Sequence, residues 1–191
     1  MVGAVTVKHE TSGPRHLKRT VISDARALLK LLCLQDYELS VVLTGDEAIR
    51  QLNRSFRGKD RPTDVLSFPQ LEHRPSSGGL QLPHAILPRP LGDVVISVDT
   101  ALRQAIRMAV PLEFRLRSLL IHGVLHLLGY DHERSRAEAR RMFALERELS
   151  TALQARDRSP RAKLKHSKHL ATSSILEVCR PLPARLNKAD D

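Results

Sequence analysis

Apolar and polar positions divide the chain into nine regular segments. Residues 2–7 alternate with period two, as a half-buried strand does. Over residues 17–34 the period changes, and Leu17, Val21, Ala25, Leu28, Leu29 and Leu32 recur at helical spacing. Residues 38–43 are rich in β-branched and apolar side chains and stop at Thr44-Gly45, which predicts a second strand. Asp46 opens a short helix through Ile49 and Leu52. Residues 64–68, halted by Pro69, and residues 93–98 predict two more strands. Three helices follow: residues 100–108; residues 112–128, opened by Pro111 and apolar almost all round; and residues 135–149, where Met142, Leu145 and Leu149 share a face that Glu and Arg flank. Strands and helices are mixed rather than strictly alternating. The pattern predicts one α+β domain, with a small mixed β-sheet and a buried helix across it.

Between the third and fourth strands, residues 70–91 contain Pro75, Pro83, Pro88 and Pro90 and the run Ser76-Ser77-Gly78-Gly79, which reads as one long loop. Residues 156–168 are basic and irregular and are expected to be disordered. The domain is therefore placed at residues 1–153 and a basic C-terminal tail at residues 154–191. Half of the formal net charge of +10 lies in that tail. A polyanionic partner fits such a balance, and so does a simply solvated end. With 41% hydrophobic and only 3% aromatic residues, the core must be built from Leu, Val, Ile and Ala, and no aromatic-rich face is available for stacking bases. No run approaches the ~20 apolar residues of a membrane span. The first ten residues lack the charged start and apolar block of a secretory signal. A soluble, cytoplasmic protein with no membrane partner is expected. Cys33 and Cys179 form no CxxC pair, so no disulfide framework is expected, and Cys33 reads as a small buried hydrophobe.

The chemistry concentrates in residues 122–132, HGVLHLLGYDH. His122 and His126 are four apart, which on a helix puts both imidazoles on one face. Gly129 follows, and a glycine at a helix end permits a left-handed turn. His132, three residues later, can then swing back toward the other two. Three imidazoles with a fourth position left open are the ligand set of a catalytic zinc rather than a closed structural one. The alternative is three unrelated histidines, but two of these sit on an otherwise apolar helix, where an unpaired imidazole is costly. The reading is one Zn²⁺ held by His122, His126 and His132. The remaining six histidines lack such spacing. The stretch is also similar to the HExxHxxGxxH helix of metzincin proteases, except that Gly123 stands where those enzymes carry the glutamate base, which disfavours peptide hydrolysis.

The same eleven residues resemble the hallmark of the YbeY family of bacterial endoribonucleases. Two further stretches agree in the same order: Leu52-Asn53 with FRGKD at 56–60 and PTDVLSFP at 62–69, and LGDVVIS at 91–97. The resemblance covers roughly residues 1–153. It implies a zincin-like α+β domain whose buried helix bears one zinc ion on the three histidines. It implies a single-strand-specific metallo-endoribonuclease that acts in ribosomal RNA maturation, at the 3′ end of 16S rRNA, and in ribosome quality control. Ribosomal RNA and ribosome or small-subunit proteins are the partners it implies. It also implies a catalytic role for Arg57, whose planar, permanently charged fork suits a phosphate; a surface salt bridge to Asp60 or Asp64 is the other reading. Lys59 and Arg61 would be auxiliary phosphate contacts. Asp131 is either a hydrogen-bond partner for a ligand histidine or a turn residue. Three functional classes stay open: a zinc-dependent endoribonuclease, a zincin-type metallopeptidase, and a non-catalytic zinc-containing ribosome assembly factor.

Overall fold

The computed structural model describes residues 4–10, 15–70, 88–158 and 175. Their four strands form one mixed sheet: β1 (Ala4–His9), β2 (Tyr37–Thr44), β3 (Val65–Pro69) and β4 (Arg89–Ser97), in the order β1-β2-β4-β3. β1 and β4 both pair with β2 in parallel, and β3 runs antiparallel to β4 along the edge. Five helices complete the described chain: α1 (Arg15–Leu31), α2 (Asp46–Arg57), α3 (Val98–Arg107), α4 (Leu112–Leu127) and α5 (Arg136–Arg158). Order and type match the apolar pattern. No helix among the described residues is long and apolar enough to cross a membrane.

Period two sorts the sheet's side chains into two cores. Leu39, Val41 and Leu43 of β2 and Val94 and Ile96 of β4 enter the larger one with α1, α4 and α5. Val95, between them, points the other way, and with Leu66 of β3 it packs against Ile49 of α2. The sheet is thus covered on both faces, with α2 on one and α4 on the other. α4 buries Leu116, Leu119, Leu120, Ile121, Val124, Leu125 and Leu127, which explains why its sequence shows no polar stripe. Each such side chain contributes about 1.5–3 kcal/mol by leaving water. Leu120→Ala would cost about 2–5 kcal/mol through the cavity it leaves.

Three boundaries differ from the sequence reading. β4 begins at Arg89, inside the expected loop: Arg89 and Pro90 pair with Tyr37 and Glu38, and the register shifts at Glu38/Leu39. An irregularity at that point accommodates a proline, which brings no amide hydrogen to the ladder. α1 stops at Leu31 because Cys33 takes a left-handed φ of 56° and the Leu34 amide donates to the Leu29 carbonyl. Cys33 is therefore exposed past the helix end rather than buried as expected. α5 runs on to Arg158, and Ala152 and Leu153 extend its buried stripe. Most of residues 70–91 and of residues 156–168 fall outside the described set.

α4 is held to its neighbours by charge as well as by packing. Asp24 of α1, 1% exposed, accepts two bonds from Arg117 (2.9 and 3.1 Å) and one from Arg156 (2.6 Å). Asp157 accepts from both arginines in turn, at 2.6 and 2.8 Å. On the sheet's other side, Asp46 at the start of α2 accepts from Ser97 and Thr100 at the start of α3 and from Arg103 in its middle, with Ser97 also capping α3 through the Thr100 amide.

Candidate metal centre

α4 must lie close against β4 before its histidines can face a common point. Gly123 makes the approach possible. A Cβ there would sit 2.7 Å from Cγ1 of Val94 and 3.1 Å from Oγ of Ser67, inside van der Waals contact. Ser67 Oγ instead donates to the Gly123 carbonyl at 3.1 Å. The position where a metzincin would carry its glutamate faces the sheet and has no room for any side chain.

His122 and His126, on either side of that contact, project together, with Nε2 atoms 3.1 Å apart. The helix then ends in a Schellman closure: the Gly129 amide donates to the His126 carbonyl and the Tyr130 amide to that of Leu125, with Gly129 at φ 84°. Asp131 fixes the next turn by accepting from the Glu133 amide at 2.9 Å and pairing with Arg134 at 3.2 Å. Its hydrogen bond and ion pair are those of a turn residue, and it forms no hydrogen bond to a histidine ring among the described residues. The chain so reversed returns His132, whose ring centroid lies 5.2 Å from that of His122 and 5.3 Å from that of His126. One nitrogen from each of the three rings lies within 4.8 Å of the others.

The electrostatics suit a cation. Burial, followed by the neighbouring imidazoles of His122 and His132, pushes the His126 pKa down, against a smaller opposing pull from Asp131. A neutral ring keeps the lone pair a metal needs. His132 carries a buried Nδ1 with no hydrogen-bond partner. Leaving such an atom unsatisfied costs about 1–3 kcal/mol, and a metal ion or its hydration shell is the kind of partner that removes the cost. The donor set and the orphaned nitrogen fit a bound metal. The His132 ring also lies 5.7 Å from that of Phe143 on α5.

One neighbour was invisible in the motif. Glu146 of α5 stands 2.7 Å from His122 Nδ1. In the sequence it is one more charge on the polar side of an amphipathic helix, 24 residues from its partner, and no local spacing marks it.

Arg57 is exposed at the last turn of α2. Among the described residues it forms no ion pair. Asp60 pairs with Arg50 at 2.7 Å, and Asp64 with Arg115 at 3.2 Å, so both carboxylates suggested as its partners are engaged elsewhere. Lys59 and Arg61 are exposed in the following loop, which Asn53 anchors by donating to the Arg61 carbonyl at 2.8 Å.

Comparison with known proteins places this geometry among relatives. A family model described as endoribonuclease YbeY matches residues 6–154. Endoribonuclease YbeY of Geobacter sulfurreducens is 47% identical over 148 residues, covering 77% of this chain and 91% of that protein. The Persephonella marina protein of the same name is 43% identical over 138 residues, covering 72% and 84%. That of Myxococcus xanthus is 48% identical over 145 residues, 76% of this chain, but the match spans only 46% of the longer Myxococcus protein. The solution structure of a Thermotoga maritima protein is similar in fold, with a TM-score of 0.55 at 25% identity, covering 84% of this chain and 96% of that one.

Proposed function

The chain belongs to the endoribonuclease YbeY family, and on that premise we propose that it is a metal-dependent endoribonuclease acting on single-stranded ribosomal RNA during maturation of the 16S 3′ end and in ribosome quality control. The observation that carries this reading is the convergence of His122, His126 and His132 on one point beside an unpartnered buried nitrogen. His122, His126 and His132 would hold Zn²⁺, the ion for which a three-imidazole set is a characteristic catalytic donor set. The histidine-bearing helix across a mixed sheet, turned by a glycine toward the third ligand, supports a zincin-like architecture.

When bound, the ion supplies Lewis acidity that lowers the pKa of water and polarises a phosphoryl oxygen. The chain's own part is positioning. Three imidazoles fix the ion, Gly123 lets their helix lie against the sheet, and Gly129 returns His132. Arg57 holds the scissile phosphate with its charged fork, and Lys59 and Arg61 contact neighbouring phosphates. Freedom from ion pairs among the described residues supports that role for Arg57, since a guanidinium already bound to a carboxylate would have to exchange partners. Ribosomal RNA and ribosome or small-subunit proteins in the cytoplasm are the partners. We place the catalytic domain at residues 1–153, with residues 154–191 as a basic extension.

The metallopeptidase reading is disfavoured by the closed space at Gly123. The assembly-factor reading is separated by experiment. Purified wild type, His126→Ala and Arg57→Ala are incubated with a ribosomal RNA fragment bearing a single-stranded 3′ extension. Cleavage by wild type alone, with Arg57→Ala still holding zinc, supports the nuclease. Equal cleavage by all three identifies a contaminant and moves the non-catalytic factor to the front.

A further inference from the structure

We infer that Glu146 is a positioning residue for the metal centre: its carboxylate fixes the ring and tautomer of His122. The inference rests on the reading of the three histidines as metal ligands. A metal-binding imidazole has two nitrogens with opposite duties, one offering its lone pair and the other holding the proton. In His122 the two are already assigned. Nδ1 faces the Glu146 carboxylate at 2.7 Å, and Nε2 faces the other imidazoles, 3.1 Å from Nε2 of His126. A carboxylate only accepts hydrogen bonds, so the proton belongs on Nδ1 and the lone pair on Nε2. The same contact makes the ring a better donor and stops it rotating about its Cβ–Cγ bond.

The placement is specific. The side chains of both residues are 25% exposed, so the contact is sheltered, unlike the open ion pairs on α2. Glu146 comes from a different helix than its partner, immediately after Leu145, which is locked in the core. The packing of α5 on α4 therefore sets the ring's orientation. Neither His126 nor His132 has a carboxylate hydrogen-bonded to its ring among the described residues. Asp131, adjacent to His132, spends its oxygens on its own turn. Glu146 also borders a hollow of about 240 Å³ with Ser118, Ile121, Phe143, Arg147 and Ser150, so a replacement side chain of similar size can be accommodated.

The test is zinc affinity, measured on the full-length protein by competition with a chromophoric chelator, together with the melting temperature of the metal-free form. Wild type, Glu146→Gln, Glu146→Leu and His126→Ala are compared. Losing such a supporting partner weakens metal binding by about 10- to 100-fold. Glu146→Leu is expected to show that loss with an unchanged metal-free melting temperature. Glu146→Gln, which keeps an acceptor oxygen, should recover most of it. Wild-type affinity in Glu146→Leu would overturn the inference while leaving the metal site standing. Weaker binding that follows an equally large fall in metal-free stability, unrelieved by glutamine, would make Glu146 a packing residue and overturn it too. Should Glu146→Leu not fold, Glu146→Asp, which withdraws the oxygens by one methylene, is read in the same way. If wild type binds zinc no better than His126→Ala, the metal reading itself fails and takes this inference with it.

Discussion

α2 and α4 both close on a left-handed glycine, Gly58 at φ 66° and Gly129 at φ 84°, and to different effect. In each, the amide after the glycine reaches back to a helix carbonyl, Lys59 to Asn53 six residues earlier and Tyr130 to Leu125 five residues earlier. Neither glycine would meet an atom within 4 Å if given a Cβ. Both closures are local, yet one delivers His132 into a half-buried cluster and the other leads Lys59 and Arg61 into solvent beside the exposed Arg57. The difference lies in the helices before the turns. α4 is buried nearly all round, so whatever its turn returns meets other side chains. α2 buries only Ile49 and Asn53, so its turn opens outward. A turn sets direction, and the packing of the helix before it decides whether that direction ends in a site.

Removing one function from each helix end has the largest expected effect. His132→Ala should weaken zinc binding by more than about 100-fold, the top of the range for losing a mere supporting partner. Arg57→Ala should leave zinc affinity unchanged and reduce RNA cleavage by about 100-fold or more, the scale of losing one charge-stabilising donor. Chelator competition and single-turnover cleavage on the same preparations would show whether the two ends act independently. A fall in zinc affinity in Arg57→Ala would mean they do not. The next largest effect is Gly123→Glu, which restores the metzincin pattern. Its side chain must displace Val94 and Ser67, so about 3 kcal/mol or more of stability should go, seen as a lower urea midpoint, with no peptidase activity gained.

Gly58→Ala and Gly129→Ala should each cost about 1 kcal/mol, because alanine pays for the left-handed conformation at both. Only Gly129→Ala should also lower zinc affinity; equal zinc binding by the two variants would show that the second turn does not position His132. The smallest effect is a pH dependence near the start of β3. Burial alone would raise the Asp64 pKa, but the Gln104 amide, the amides of Asp64 and Val65, and Arg115 outweigh it and hold the carboxyl below its ordinary value. A group depressed in the folded state lends stability above its unfolded pKa, near pH 4, and loses it as pH falls through the folded value. Urea midpoints should therefore decline below about pH 4, and Asp64→Asn should flatten that decline slightly.

The features legible in sequence were those written in local spacing. His122 and His126 at one helical turn, Gly129 at the helix end and the period-two runs of β2 and β4 each carry their own meaning. What escaped depended on partners distant in sequence. Glu146 acquires its role only when α5 lies on α4. Asp24, Arg117 and Asp157 read as ordinary helix charges until three helices bring them together. The left-handed turn at Cys33 has no glycine to announce it, and β4 starts at Arg89 because β2 offers a partner where prolines suggested a loop. Gly123 was legible as a missing base. That it is also a required void is visible only against Val94.

The quartet of Asp24, Arg117, Arg156 and Asp157 is electroneutral in two ways. As four charges it sums to zero, and so does each half, Asp24 with Arg117 and Arg156 with Asp157. Removing Arg156 and Asp157 together takes one cation and one anion away and leaves a balanced pair in the interior. A single substitution leaves an odd charge where solvation is poor, which is the costlier defect. The clamp on the histidine-bearing helix is therefore built in halves: it tolerates the loss of a balanced pair better than the loss of one charge, and Arg117→Ala paired with Asp24→Ala should be milder than either change alone.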